Sequence, residues 1–177
     1  MIVTGQGARG TLSIDGRSFD CALGRSGIVA AAAKREGDGA TPAGAWKLRR
    51  GFYRADRLAL PAPLKDWFQP IEADMAWDDD AASPTYNRLI RSRIENHPER
   101  LARADGVYDI VVPLGYNDDP PQAGRGSAIF LHVARAEFSP TAGCVALALP
   151  DLLAALAQCD EGSMLDIRLP AADTRTP

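Results

Sequence analysis

Chain breakers recur along this sequence at intervals that leave little room for long helices. There are 13 prolines and 16 glycines among 177 residues. They cut the chain into short runs that suit strands and turns better than a helical bundle. Within those runs the apolar residues mostly alternate. "TLSIDGRSFDCAL" (11–23) reads as a hairpin turning at Asp15-Gly16, a dipeptide that accepts the positive φ angles of a two-residue turn. "VYDIVVPLGYN" and "SAIFLHV" are the strongest strand signals, being rich in β-branched and aromatic residues, and "SMLDIRLP" is a last alternating strand. "AWKLRRGFYR" reads as one strand and "NRLIRS" as a short one. The expected class is mainly β with short helices.

Two helices are expected. "PDLLAALAQ" sets Leu152, Leu153 and Leu156 on one face, with Pro150 at its opening. "HPERLARADG" reads as a second short helix ending at Gly106. Residues 37–44 form a turn-rich stretch around Thr41-Pro42. Residues 54–85 have weak periodicity and read as a long surface excursion pinned by Trp67, Phe68 and Trp77. Residues 171–177 read as a frayed tail, and the whole chain, 1–177, reads as a single domain.

The balance of charge narrows the function classes. The net charge is −3, with scattered arginines and no basic run, which excludes a nucleic-acid footprint. No apolar run approaches the length of a membrane span. The first 25 residues lack the charged start and apolar middle of a secretory leader. Cys21, Cys144 and Cys159 contain no CxxC pair and read as three thiols. No metal site is expected, because zinc needs four ligands at tighter local spacing. A monomer is expected.

One constellation carries chemistry. "SPTAGCVALALP" (139–150) sets Cys144 after a glycine, and "IFLHV" ends a strand-like run on His132. A nucleophilic cysteine needs a base, donors for an oxyanion and access to substrate. Gly143 permits close backbone approach, the Cys144 N–H is a candidate oxyanion donor, and Thr141 can cap the turn. Residues 134–143 are long enough to fold back and bring Cys144 beneath the His132 imidazole. On spacing alone Cys144 reads more readily as a buried packing residue. Cys21 and Cys159 read as packing residues, and His97 as a surface residue at a helix start.

"HVARAEFSPTAGCVAL" resembles the active-site signature of the L,D-transpeptidase (YkuD-like) catalytic domain: a histidine, a variable loop, Ser or Thr, any residue, Gly, Cys, and Val or Ile. "KREGDGATPAGAWKL" is similar to the "TPxG" stretch that precedes the site in that family. The resemblance implies a β-sandwich-like domain with the cysteine on a loop over the sheet. It implies Cys144 as nucleophile, His132 as general base and acid, Gly143 and the Cys144 backbone as the oxyanion hole, and Thr141 as the hydroxyl that orients the loop. The implied reaction is peptidoglycan cross-linking between a donor and an acceptor stem peptide through a thioester, without a cofactor. The implied role is in wall biogenesis and cell shape, and the implied location is the periplasm or cell envelope.

The sequence departs from that pattern at three positions. Val133 stands where many members have Gly, Ala142 where many have His or Arg, and Ala146 where many have Arg. Small apolar groups thus replace polar ones around the pair, which points to an atypical donor bond. Arg135 or Arg125 is then a candidate for carboxylate recognition. Tyr86, Asn87, Tyr116 and Asn117 are candidate cleft residues from their positions beside loops. Two rival functions stand beside transpeptidation: hydrolysis of stem peptides on the same scaffold, and a non-catalytic wall-binding or thiol-sensing domain.

Overall fold

The computed structural model describes residues 1–92 and 99–170. The strands, in chain order, are β1 (Ile2–Gln6), β2 (Arg9–Ile14), β3 (Arg17–Ala22), β4 (Ile28–Ala30), β5 (Thr41–Lys47), β6 (Gly51–Tyr53), β7 (Phe68–Pro70), β8 (Met75–Asp78), β9 (Arg88–Arg91), β10 (Ile110–Pro113), β11 (Phe130–Val133), β12 (Val145–Leu147) and β13 (Met164–Ile167). One α-helix, α1 (Leu149–Leu156), lies between β12 and β13, and 3-10 turns cover Ala62–Leu64 and Ala136–Phe138. The expectation of a mainly β chain with short helices holds.

Eleven strands form one mixed sheet in the order β4-β5-β13-β1-β2-β3-β12-β11-β10-β6-β7, and β8 with β9 forms a separate ribbon. The β2–β3 hairpin turns at Asp15 and Gly16, whose φ angles of 46° and 77° suit the two-residue turn. Ile28 of β4 and Phe68 of β7, at the two ends of the sheet order, belong to one core cluster, so the sheet must curve around that core.

Alternation along the central strands separates two cores. Ile110, Val112, Leu131, Val145 and Leu147 face the larger one, which α1 covers with Leu152, Ala155 and Leu156. Val111, Phe130 and Cys144 face a smaller one, against which Trp77 and Leu89 of the β8–β9 ribbon pack. Since successive side chains point to opposite faces, His132 shares the face of Phe130. The sheet therefore carries its structural core on one side and the residues of interest on the other.

Several expectations are corrected. Thr41–Lys47 is strand, so only residues 37–40 of the expected turn-rich stretch remain loop. The expected strand from 45 to 54 is two, broken at residues 48–50, where Leu48 and Arg49 turn to bond the Ser163 and Pro113 carbonyls. Residues 54–85 are no bare excursion: they supply β7 and β8, and Trp67 and Phe68 sit in the larger core. In the expected helix 97–106, the described residues 99–106 form bends and a bridge from Arg100 to Ala76, because this segment pairs with β8 instead of coiling. His97 and Pro98, like the tail 171–177, lie outside the described residues.

Candidate active site

β11 and β12 are parallel neighbours in the register His132↔Ala146, with Cys144 immediately before β12. The intervening loop does fold back, and it leaves Cys144 and His132 on one face of adjacent strands. Both line a cavity of about 210 Å³, and both are otherwise buried, at 7 % and 4 % exposure. The cavity is thus the route by which a ligand reaches the sulfur.

The cysteine loop is held by its own polar groups. Thr141 donates its hydroxyl to the Cys144 carbonyl at 2.7 Å and accepts the Gly143 N–H at 3.1 Å. Gly143 has φ +142°, and a Cβ there would lie 2.8 Å from the Ala40 carbonyl oxygen. The glycine is therefore required for close approach to the loop before β5. Gly24 joins the two sequence blocks: it bridges Thr141, and its N–H donates to the Thr41 hydroxyl at 2.9 Å. Of the two backbone donors expected here, the Gly143 N–H is engaged by Thr141.

The sulfur has two backbone partners. Phe130 N–H donates to it at 3.4 Å, and the thiol donates to the Ala128 carbonyl at 3.3 Å. Burial, above all, pushes the Cys144 thiol up to about 12. Burial likewise brings the His132 imidazole down to about 4, and the nearby Arg135 and Arg103 charges act in the same direction. At neutral pH the pair is a thiol and a neutral imidazole. His132 Nδ1 lies 2.9 Å from the Val133 carbonyl oxygen. A carbonyl only accepts, so Nδ1 carries the proton and Nε2 keeps its lone pair.

Other candidates separate into two groups. Arg135 lines the cavity at 47 % exposure, with Nη2 3.6 Å from Asp105 Oδ2. Arg125 is not among the lining residues. Tyr86, Asn87, Tyr116 and Asn117 do not line the cavity, because their polar atoms brace loops around it. Tyr86 donates to Glu36, and Tyr116 donates to the Arg125 carbonyl at 2.5 Å. Asn117 donates to the Gln122 and Gly126 carbonyls. Asn87 donates to the Tyr116 and Asn117 carbonyls and accepts from Trp77 Nε1 and Ala128 N.

Sequence reading missed Tyr108. Its ring lies edge-on to both His132 and Phe130, with centroids 5.5 and 5.7 Å away. Its hydroxyl donates to Glu99, and burial raises its ionisation well above the usual phenol range. Reading "VYDIVV" as a strand start gave no reason to send Tyr108 toward the imidazole. Lys34 was also missed. It is 2 % exposed, lines the cavity, and is paired with Asp38 at 2.8 Å.

The cysteines at positions 21, 144 and 159 are all free, with Cys21 buried in the larger core. Among the described residues no group of three or more His, Cys, Asp or Glu side chains is arranged to hold a metal ion. No helix among them is long and apolar enough to cross a membrane.

One parallel strand pair thus presents a cysteine and a histidine to one cavity. Residues 8–167 match the family model of the YkuD L,D-transpeptidase catalytic domain, and the chain belongs to that family, whose function is directed at peptidoglycan. No curated protein and no solved structure matches the chain significantly.

Proposed function

We propose that this protein is a peptidoglycan L,D-transpeptidase with Cys144 as nucleophile and His132 as general base and acid. The observation that supports it most is the placement of both side chains on one face of neighbouring parallel strands, lining one cavity. The Cys144 proton passes to His132 Nε2 as the sulfur attacks a donor peptide carbonyl. The tetrahedral oxygen takes a hydrogen bond from the Cys144 N–H. His132 returns the proton to the departing amine, leaving a thioester. The amine of an acceptor stem peptide then attacks the thioester, losing its proton to His132, and the thiol is restored as the new amide forms.

A resting pair with both partners neutral favours this order. The buried thiolate is costly until its charge passes into the substrate, so deprotonation accompanies attack. Such a nucleophile is protected from idle oxidation, because oxidation follows thiolate character. Ala142 lines the cavity, and Ala146 is paired with Ala22 and His132 in the ladder, so the polar groups that many members carry at these positions are absent, and the cavity's charges come from other segments. An atypical donor bond follows from that lining. The acting protein sits in the periplasm or envelope, where stem peptides are found.

The test uses purified muropeptides and intact-mass spectrometry. Wild-type protein is expected to make cross-linked dimers and to gain the mass of an acylating carbapenem on Cys144, and Cys144→Ala to do neither. Shortened monomers without dimers assign hydrolysis in place of transfer. Absence of both products and of the mass gain overturns the enzyme reading.

A further inference from the structure

Four cationic side chains line the cavity: Arg25, Lys34, Arg103 and Arg135. Three are committed to carboxylates of the chain itself. Lys34 pairs with Asp38 at 2.8 Å, Arg103 with Asp105 at 2.8 Å, and Arg135 reaches the same Asp105 at 3.6 Å. Arg25 has no acidic partner among the described residues. Its side chain is held instead by a carbonyl, with Nη2 donating to Gly37 O at 3.0 Å.

The seat of Arg25 is built into the backbone. Gly39 has φ +70°, and a Cβ there would come within 2.5 Å of the Arg25 guanidinium carbon, so the arginine lies across the space a side chain would fill. Arg25 N–H donates to the Thr141 carbonyl at 2.9 Å, tying the residue to the cysteine loop. Sheet order then fixes its direction of approach. β12 lies between β3 and β11. Arg25, just beyond β3, flanks Cys144 from one side, and His132 on β11 flanks it from the other.

We infer that Arg25 is the carboxylate-binding residue of this site, engaging a free carboxylate of the donor peptide close to the carbonyl that Cys144 attacks. The inference deepens the transpeptidase reading and rests on it. A guanidinium with one N–H pinned keeps other donors for a planar, paired contact with a carboxylate. Ala142 beside it, also lining the cavity, has no side-chain length to obstruct or replace that contact. The cation absent from the cysteine loop is thereby supplied from the β3–β4 connection.

Binding is measured by calorimetry in the Cys144→Ala protein, with a tetrapeptide stem carrying free carboxylates and with its carboxamide derivative. The carboxylate form is expected to bind about 10- to 100-fold more tightly, as one charge-assisted contact provides. Adding Arg25→Ala is expected to abolish that preference, and Arg25→Lys to restore part of it, with circular dichroism melts checking the fold of each variant. A preference that survives Arg25→Ala, or none in the parent, overturns the assignment. Failure of the transpeptidase reading shows differently: carboxylate-dependent binding persists while the wild-type protein forms neither thioester nor dimer.

Discussion

The Asn87 side-chain oxygen accepts the Ala128 N–H at 3.0 Å, and the Ala128 carbonyl accepts the Cys144 thiol. Both residues occupy the left-handed region, with φ of 57° and 51°. A residue outside the cavity thus holds the strained backbone that touches the sulfur. Asn87→Ala removes four side-chain hydrogen bonds from a buried site and is expected to cost about 2–4 kcal/mol of stability, with Tm lowered accordingly. Asn87→Gly relieves the φ requirement but loses the same bonds. It is expected to remain destabilised, which chemical denaturation of both variants checks.

Gly143→Ala places a methyl group 2.8 Å from the Ala40 oxygen at a φ that L residues rarely adopt. The cysteine loop must then move. The expected outcome is a loss of about 1–3 kcal/mol in stability and loss of carbapenem acylation at Cys144. Melting curves and intact-mass kinetics report the two effects separately.

Thr141→Val deletes both the donor to the Cys144 carbonyl and the acceptor of the Gly143 N–H, while keeping the shape of the side chain. Acylation is expected to slow by about 10- to 100-fold, the equivalent of one buried hydrogen-bonded group lost. Thr141→Ser keeps the hydroxyl and is expected to recover most of the rate. Equal rates for the two variants would show that the hydroxyl does not orient the loop.

Stability should plateau between roughly pH 6.5 and 9, the ordinary values for imidazole and thiol. Below 6.5 the unfolded chain binds a proton that buried His132 refuses until about pH 4. Stability therefore falls with falling pH across that window, by about 3 kcal/mol from this residue. Above pH 9 the unfolded thiol of Cys144 ionises while the folded one holds its proton to about 12, so stability falls with rising pH. Cys21, raised likewise by burial, adds to that alkaline loss. Cys144→Ser removes one of three thiols raised by burial and is expected to shrink the loss, and alkylation of folded wild-type Cys144 is expected to keep accelerating beyond pH 9. Urea titrations across pH and iodoacetamide kinetics check both.

The sequence revealed whatever local chemistry decides. Asp15-Gly16 read correctly because φ at both turn positions is a property of those residues. α1 read correctly because Pro150 and the leucine spacing are local. β10 and β11 read correctly from their β-branched and aromatic content, and β13 from its alternation. The pairing of Arg100 with β8 is a tertiary contact that overrides helix propensity between residues 99 and 106, and no local signal announces it. His132, Thr141 and Cys144 fall close together in the chain, and the structure brings all three to one cavity. Tyr108, Lys34 and Arg25 come from segments that only the sheet order brings there. Tyr86, Asn87, Tyr116 and Asn117 were noticed as polar residues beside loops, yet their partners are the Glu36 and Trp77 side chains and backbone groups of the surrounding loops.

The parallel pairing of β11 with β12 has a consequence for how such a protein diversifies. The proposed base and nucleophile sit on neighbouring strands, with His132 opposite Ala146 and Cys144 two residues before it, so the ladder register sets their offset. The segments around them, residues 31–40 and 134–140, need only shape the entrance. Exchanging those segments would reshape the entrance without disturbing the strand pairing that holds Cys144 and His132.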